Sequence, residues 1–429
     1  MFETNKNARK LPDLKKKILF TLFILVLFRI GSVIPVPFVD SQSLQAMFSS
    51  GGEYAGSLLA YFNTLSGDAF SKATIFALSI SPYITSSIII QLLTIAIPAL
   101  EKLQKSGPQG QKKIATITRF VTVGLALVMA IGYYVTLRNQ DVLFDESVWS
   151  GFVIVSAFVC GSSIVMWLAE KINDGGIGNG ISIILFASIV SRGPTMLINA
   201  IEMVRTQALA WWLLLIIAVV MIAVIVFVVF MTNAERRLPV QYAKKVVGRK
   251  MYGGMSTHLP IKLNMSGVMP IIFANSIMML PATLALIFPP SSGSLWDRFV
   301  NLFKTTGALY SIGTFILIIL FAYFYLMISF NPIEVANNLQ KNGGTILGYR
   351  PGMPTAMYIK KVLNRVTLIG AFFLGVIAVF PAVVAAFNAN LSYLAFGGSS
   401  LLIVVGVVLE TTRDLESQIT MRHYKGFLD

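Results

Sequence analysis

The sequence is poor in charge and in the side chains that perform chemistry. Of its 429 residues only 12% are Asp, Glu, Lys or Arg, and it holds one cysteine and two histidines. A soluble domain of this length carries far more surface charge, and here the charges fall between long uncharged runs, the pattern of a polytopic membrane protein. A single cysteine, Cys160, excludes an intrachain disulfide, and its place in an apolar run predicts a small packing residue. His258 and His423 are isolated, no Cys/His/carboxylate cluster offers a metal site, and no GxSxG, Walker or HExxH pattern occurs. Neither an enzyme activity nor a cofactor is expected.

What the chain has in abundance is apolar runs of membrane-crossing length. Residues 1–17, with Lys6, Arg9, Lys10, Lys15, Lys16 and Lys17, precede the first run, Ile18 to Pro37, which lacks a small-residue cleavage site and is expected to be retained as a span. Further runs lie at about 74–98, 117–137, 151–169, 181–200, 210–231, 268–289, 309–329, 365–387 and 392–411. The fifth is interrupted early by Arg192, and loop charge decides for it. With ten spans, twenty-five Lys and Arg fall on the N-terminal side against six opposite, a strong positive-inside bias that puts both termini in the cytoplasm. Losing the fifth span would move the basic 232–267 loop to the other face.

The run Ile75–Pro98, IFALSISPYITSSIIIQLLTIAIP, carries no charge but threads Ser79, Ser81, Thr85, Ser86, Ser87 and Gln91 among its apolar residues. A helix facing only lipid has no use for them. Pro82 is expected in mid-helix, removing a donor from the carbonyl of Leu78, and Ile80 and Ile84 share the face beside it as an apolar constriction. Span seven repeats the pattern: Pro82, Ile84 and Ser87-Ile88 are echoed by Pro270, Ile272 and Ser276-Ile277. Each is the second span of a five-span half, and Pro-interrupted helices at matching places in two halves point to the centre of an internally repeated membrane fold.

Between the first two spans, GSLLAYFNTLSGDAFSKA is amphipathic and too short to cross; the residues alone favour a surface helix on the outer side. Two cytoplasmic loops are large. The 232–267 loop presents Arg236, Arg237, Lys244, Lys245, Arg249, Lys250 and Lys262, and the 330–362 loop sets Arg350 in a Gly/Pro-rich turn. Basic loops serve topology control, and they also suit RNA phosphates or an acidic protein surface.

The blocks FRIGSVIPVP, SISPYITSSIIIQLLT, GIGNGISI, ERRLPVQYAKKVVGRKMYGGMSTHLPIKLNMSGVMPIIFA, NPIEVANNLQKNGG, GYRPGMPT and FGGSSLLIVVGVV, in this order and spacing, closely resemble the bacterial SecY family, the central subunits of the protein-conducting translocon. The resemblance runs from about residue 10 to about residue 425. It implies an all-α membrane fold: a cytoplasmic N-terminus (1–17), halves at 18–205 and 206–411 clamped around an hourglass pore, and a cytoplasmic tail (412–429). The pore ring then falls on Ile80, Ile84, Ile181, Leu185, Ile272 and Ile403. The plug falls within about 57–70, centred on Leu58, Leu59, Ala60, Tyr61, Phe62, Asn63, Thr64 and Leu65, against the surface-helix reading. The lateral gate lies between spans two and three and spans seven and eight, where Ser86, Ser87, Gln91, Asn275 and Ser276 hold the closed state by polar contacts worth roughly 0.6 kcal/mol each.

Implied partners are the SecE and SecG membrane subunits, the SecA motor, the ribosome, secretory and membrane preproteins, and the lipid bilayer of the bacterial cytoplasmic membrane. Arg350 and the cations of the 232–267 loop are the residues expected to meet the motor or ribosome. A secondary transporter shares the length, repeats and broken helices. It usually buries ionisable groups near mid-membrane, whereas Arg29, Glu170, Arg365 and Glu410 lie toward span ends here.

Overall fold

The computed structural model describes residues 12–49, 63, 65–206, 210–242, 245–247, 250–252, 256–287, 294–303, 307–387 and 397–425. In the first half, α1 (Pro12–Gly31) and the short α2 (Ser41–Ser49) precede α3 (Ser81–Ala96), α4 (Pro98–Lys105), α5 (Pro108–Asn139), α6 (Val148–Gly175), α7 (Gly180–Ser191) and α8 (Gly193–Arg205). The second half holds α9 (Trp211–Asn233), strands β1 (Glu235–Tyr242), β2 (Lys245–Val247), β3 (Lys250–Tyr252) and β4 (Ser256–Lys262), then α10 (Met269–Met278), α11 (Leu280–Ile287) and α12 (Leu295–Leu302). It ends with α13 (Ala308–Ser329), α14 (Pro332–Lys341), β5 (Gly344–Ile346), α15 (Met353–Phe387) and α16 (Gly397–Lys425).

Every expected apolar run coincides with a helix or a helix pair. By length and composition alone, six of the described helices are fit to cross a membrane, or seven if the bent pair α3 and α4 counts as one span. Outward-facing side chains are apolar as bilayer contact demands. On α9, Trp211, Leu215, Val219, Ile222, Val226 and Phe230 are all exposed while Val228 and Thr232 are buried, so one narrow face packs inward, against α16. Cys160 is also exposed rather than packed in the interior: it lies on the outer face of α6, whose inward positions Phe158, Gly161 and Val165 do the packing.

The two Pro-bearing spans are built differently from expectation. Pro82 does not kink a long helix; it opens one. Ile80 is the N-cap, with φ −91° and ψ 0°, Pro82 sits in the first turn, and residues 71–80 approach without helix. There the missing proline N–H costs nothing, because first-turn donors have no intrahelical partner. The Leu78 carbonyl is not orphaned, since it accepts from the Ser81 N–H at 3.3 Å. At the other end Ile97, extended ahead of Pro98, stops α3, and α4 leaves at 102°. In the second half Val268 caps α10 with φ −91° and ψ −7°, and Pro270 again occupies the first turn. Measured from these prolines, Ser87 corresponds to Asn275, so the Ser-Ile part of the sequence echo is out of register by one.

The first span is likewise shifted. Its helix ends at Gly31, and Pro35 forms an isolated antiparallel bridge with Thr74 in place of a last helical turn. The counterpart in the second half is the ladder position Glu235 to Lys262, where β1 pairs with β4. Next to these bridges the Ile75 N–H donates to the Ile34 carbonyl (3.0 Å), and the Leu263 N–H to the Ala234 carbonyl (2.9 Å). Ile75 and Leu263 each stand seven residues before their proline. The halves are therefore repeats of one unit.

Packing within each half is continuous: α3 on α5, α5 on α6, α6 on α7 and α1, and, opposite, α10 on α13, α13 on α15, α15 on α16 and α16 on α9. The halves meet along two seams. On one, α10 and α11 lie against α3 and α5; on the other, α7 lies against α16. A single apolar cluster runs across both.

Candidate functional site: an apolar ring between two seams

Each ring position is set by a local device. Ile80 is the N-cap of α3 and its carbonyl accepts from the Ile84 N–H at 3.0 Å, which stacks the two side chains one turn apart. Ile272 takes the same place on α10, its N–H donating to the Val268 carbonyl at 3.2 Å. In GIGNGISI, Gly178 adopts φ +71° and Asn179 caps α7, its Oδ1 accepting from the Ile181 N–H at 3.0 Å. Leu185 follows one turn on, and Ile403 comes from the first turns of α16. Ile80, Ile84, Leu185, Ile272 and Ile403 are buried in the central cluster, and Ile181 is half-buried against it. All six residues expected to form the ring, from four helices and both halves, belong to or pack against the large central apolar cluster.

Of the plug stretch, Asn63 and Leu65 lie within the described residues, and Leu58, Leu59, Ala60, Tyr61, Phe62 and Thr64 lie outside them. The described part is interior and not a surface helix. Leu65, Ala69, Phe70 and Ala73 are buried. Asn63 Oδ1 accepts from the Ser71 N–H (2.9 Å), and its Nδ2 donates to Asp68 (3.1 Å). Phe70 stacks on Tyr133, whose hydroxyl donates to the Phe70 carbonyl, and Tyr133 in turn packs on Phe158. Asp68 pairs with Arg192 at 2.9 Å, at the break between α7 and α8. Sequence reading treated Arg192 only as an interruption of a span. Its partner was visible as the lone acidic residue of an otherwise neutral stretch. Gly67 (φ +67°) and Asp68 (φ +68°) are both left-handed, a turn that presents the carboxylate to that arginine at the cost of a non-glycine residue in αL.

The five expected gate residues lie on α3 and α10, which pack against each other, and make no hydrogen bond across that seam. Ser86 bonds Thr122 of α5, on its own side, and Ser276 Oγ donates back to the Ile272 carbonyl at 2.8 Å. Gln91 Oε1 and Asn275 Nδ2 are buried and unbonded, an acceptor and a donor on opposite sides. Ser87 is half-buried on α3. Apolar residues of both sides of the seam belong to the central cluster, and Phe273 of α10 meets Phe321 and Tyr325 of α13 edge-on within the second half.

The two large basic loops are one structure. β5, from the second loop, pairs with β1 from the first, giving a three-stranded sheet in the order β4-β1-β5 over a core of Leu238, Val240, Ile261, Ile346, Ile359 and Leu363. Arg236 and Arg237 are exposed on β1, Arg237 paired with Glu235 at 2.7 Å. Lys245 and Lys250 lie on the small β2-β3 hairpin, while Lys244 and Arg249 fall outside the described residues. Arg350 is exposed between Gly348 (φ +85°) and Gly352 (φ +95°); its carbonyl accepts from Thr355 Oγ1, and its guanidinium has no partner among the described residues.

Non-helical backbone leading into two matching proline-started helices, and two seams packed with apolar side chains, define an internally repeated helical membrane protein. A family model described as SecY matches residues 74–412, and the protein translocase subunit SecY of Streptomyces galbus is 44% identical over 434 residues, 98% of each chain. The chain belongs to the SecY family and is a pore-forming subunit of the Sec translocon, a multi-pass protein of the bacterial membrane. Its fold matches that of a solved protein-conducting channel (TM-score 0.66, 19% identity, 96% of each chain). It also matches Sec61 in the canine ribosome-channel complex from the endoplasmic reticulum (TM-score 0.60, 17% identity, 96% of each chain).

Proposed function

We propose that the ring of Ile80, Ile84, Ile181, Leu185, Ile272 and Ile403 is the seal through which unfolded secretory chains pass. The observation that carries this is that Ile84 and Ile272 hold matching places two residues after Pro82 and Pro270, within the central apolar cluster that also takes in the other four. A pore that accepts many sequences cannot grip them by directed hydrogen bonds; branched aliphatic side chains deform around any chain and shed water and ions when closed. In this reading the 57–70 stretch is the plug, the α3/α5 seam with α10/α11 parts to release transmembrane segments, and the α7/α16 seam holds the halves together. The halves are 18–205 and 206–411, and both termini face the cytoplasm.

The channel is passive, so a partner must supply the work. The ribosome-bound Sec61 relative supports a ribosome as one partner, and the exposed cations Arg236, Arg237 and Arg350 suit rRNA phosphates or an acidic motor surface. SecA, SecE and SecG are the further partners that the family resemblance implies. A transporter would move a small solute unaided; this chain should not. The test is photo-crosslinking from Ile84 and Ile272 to a stalled secretory chain in vesicles: crosslinks from both positions are expected, and their absence while flanking α3 positions crosslink would move the path elsewhere.

A further inference from the structure

The repeat is unequal at one place. In the first half Phe76, the residue after Ile75, stacks on Phe28 of α1 with ring centroids 5.8 Å apart, and Phe76 also covers Gly31. The same position in the second half, the residue after Leu263, is Asn264, and α9 offers Val228. Two small side chains replace a stacked aromatic pair, and a cavity of about 380 Å³ opens between them.

This cavity is graded. Val228, Val268 and Leu402 form a buried apolar floor. Above them stand two cations, Lys262 and Arg413, and two carboxylates, Glu410 and Asp414, at the cytoplasmic ends of the helices. None of these four closes an ion pair with another; Arg413 instead donates to the Thr232 carbonyl (2.8 Å) and Asn233 Oδ1 (2.9 Å). Partial burial and the neighbouring Arg413 hold the Lys262 ammonium below the ordinary lysine range, so an anion there would relieve a crowded pair of cations. Asn264, only 8% exposed, lines the cavity with an Oδ1 that has no hydrogen-bond partner. A buried acceptor of this kind costs stability until a donor reaches it.

We propose that this cavity binds a phosphoethanolamine group, supplied as the headgroup of a membrane phospholipid. Phosphate meets Lys262 and Arg413. The primary ammonium has three donors, enough for Glu410, Asp414 and the waiting Asn264 Oδ1, and the glyceryl end lies over the apolar floor. A trimethylated headgroup keeps the charges but has no N–H to offer Asn264, and an anionic glycerol headgroup has no cation for the carboxylates.

The test is native mass spectrometry of the full chain, purified with its membrane subunits and exchanged into matched mixtures of phosphatidylethanolamine, phosphatidylcholine and phosphatidylglycerol. Phosphatidylethanolamine should be retained about tenfold over phosphatidylcholine, the worth of one hydrogen bond to a charged group. Asn264→Leu should erase that preference, and Lys262→Gln, which removes a phosphate contact common to all three lipids, should lower the retention of each. Because both disturb a buried polar region, a third variant refills the space: Val228→Phe should abolish retention with thermal stability unchanged or raised. Free O-phosphoethanolamine distinguishes the sources. Failure to displace the lipid assigns the membrane, whereas displacement at equal concentration assigns a soluble ligand to the same group. Equal retention of the three lipids, or full retention by folded Val228→Phe, overturns the proposal.

Discussion

A Cβ placed on Gly370 of α15 would lie 2.4 Å from the carbonyl oxygen of Leu263. One placed on Gly161 of α6 would lie 1.9 Å from that of Ile75. The fourth long helix of each half thus has a glycine where the non-helical strand of the second span crosses it. No side chain fits either place without moving backbone. Gly161→Ala and Gly370→Ala should each destabilise by about 1–3 kcal/mol, the usual cost of overpacking. Gly124→Ala on α5, where nothing lies within 4 Å, should be neutral or stabilising. Thermal unfolding of the three purified variants compares them directly.

Ile80→Ser with Ile84→Ser should hydrate the constriction and let the resting channel leak ions. Both side chains are buried in the ring, and two hydroxyls there give water partners it now lacks. Planar-bilayer conductance should rise well above wild type at equal protein level; unchanged conductance would remove the pair from the seal.

The plug stem yields a sharper experiment than removal of the whole stretch. Deleting Leu58 to Phe62 spares the buried Asn63 hub and should leave assembly intact while weakening rejection of chains with defective signals. Asp68→Arg should do the same by repelling Arg192, and the exchanged pair Asp68→Arg with Arg192→Asp should restore rejection. A double variant as permissive as the single would mean the ion pair does not hold the stem.

Arg350 tests recognition against topology. Arg350→Lys keeps the charge and loses the planar fork, so orientation and ion tightness should survive while motor-driven import of a precursor into vesicles falls; Arg350→Glu should fall further. Import by Arg350→Lys at the wild-type rate would return this residue to topology control.

The apolar runs were legible because a bilayer demands length and absence of charge, and Ile80 with Ile84 because they stand four apart beside Pro82; Ile181, Leu185, Ile272 and Ile403 enter the expected ring only through the family resemblance. Helix starts were not. Pro82 in an uncharged run reads as a kink, since nothing in the run announces that residues 73–75 will pair with the chain leaving α1 and residues 76–80 will form turns. That pairing joins Thr74 to Pro35 over a distance that periodicity cannot see. The sheet was hidden for the same reason: β5 meets β1 a hundred residues away, Val240 opposite Ile346. Asp68 with Arg192, and Tyr133 under Phe70, are likewise tertiary facts.

Because β5 is bonded to β1, the two basic loops cannot report independently. A partner that seizes the Arg350 turn also holds, through the Val240 to Ile346 and Glu235 to Lys262 pairings, the strand that becomes Leu263 and, seven residues on, Pro270. The sheet is a handle whose stem is the entry to α10. Pulling on it loads a ladder of hydrogen bonds side by side rather than one after another. The grip is therefore stiff, and the element it leads to carries Ile272.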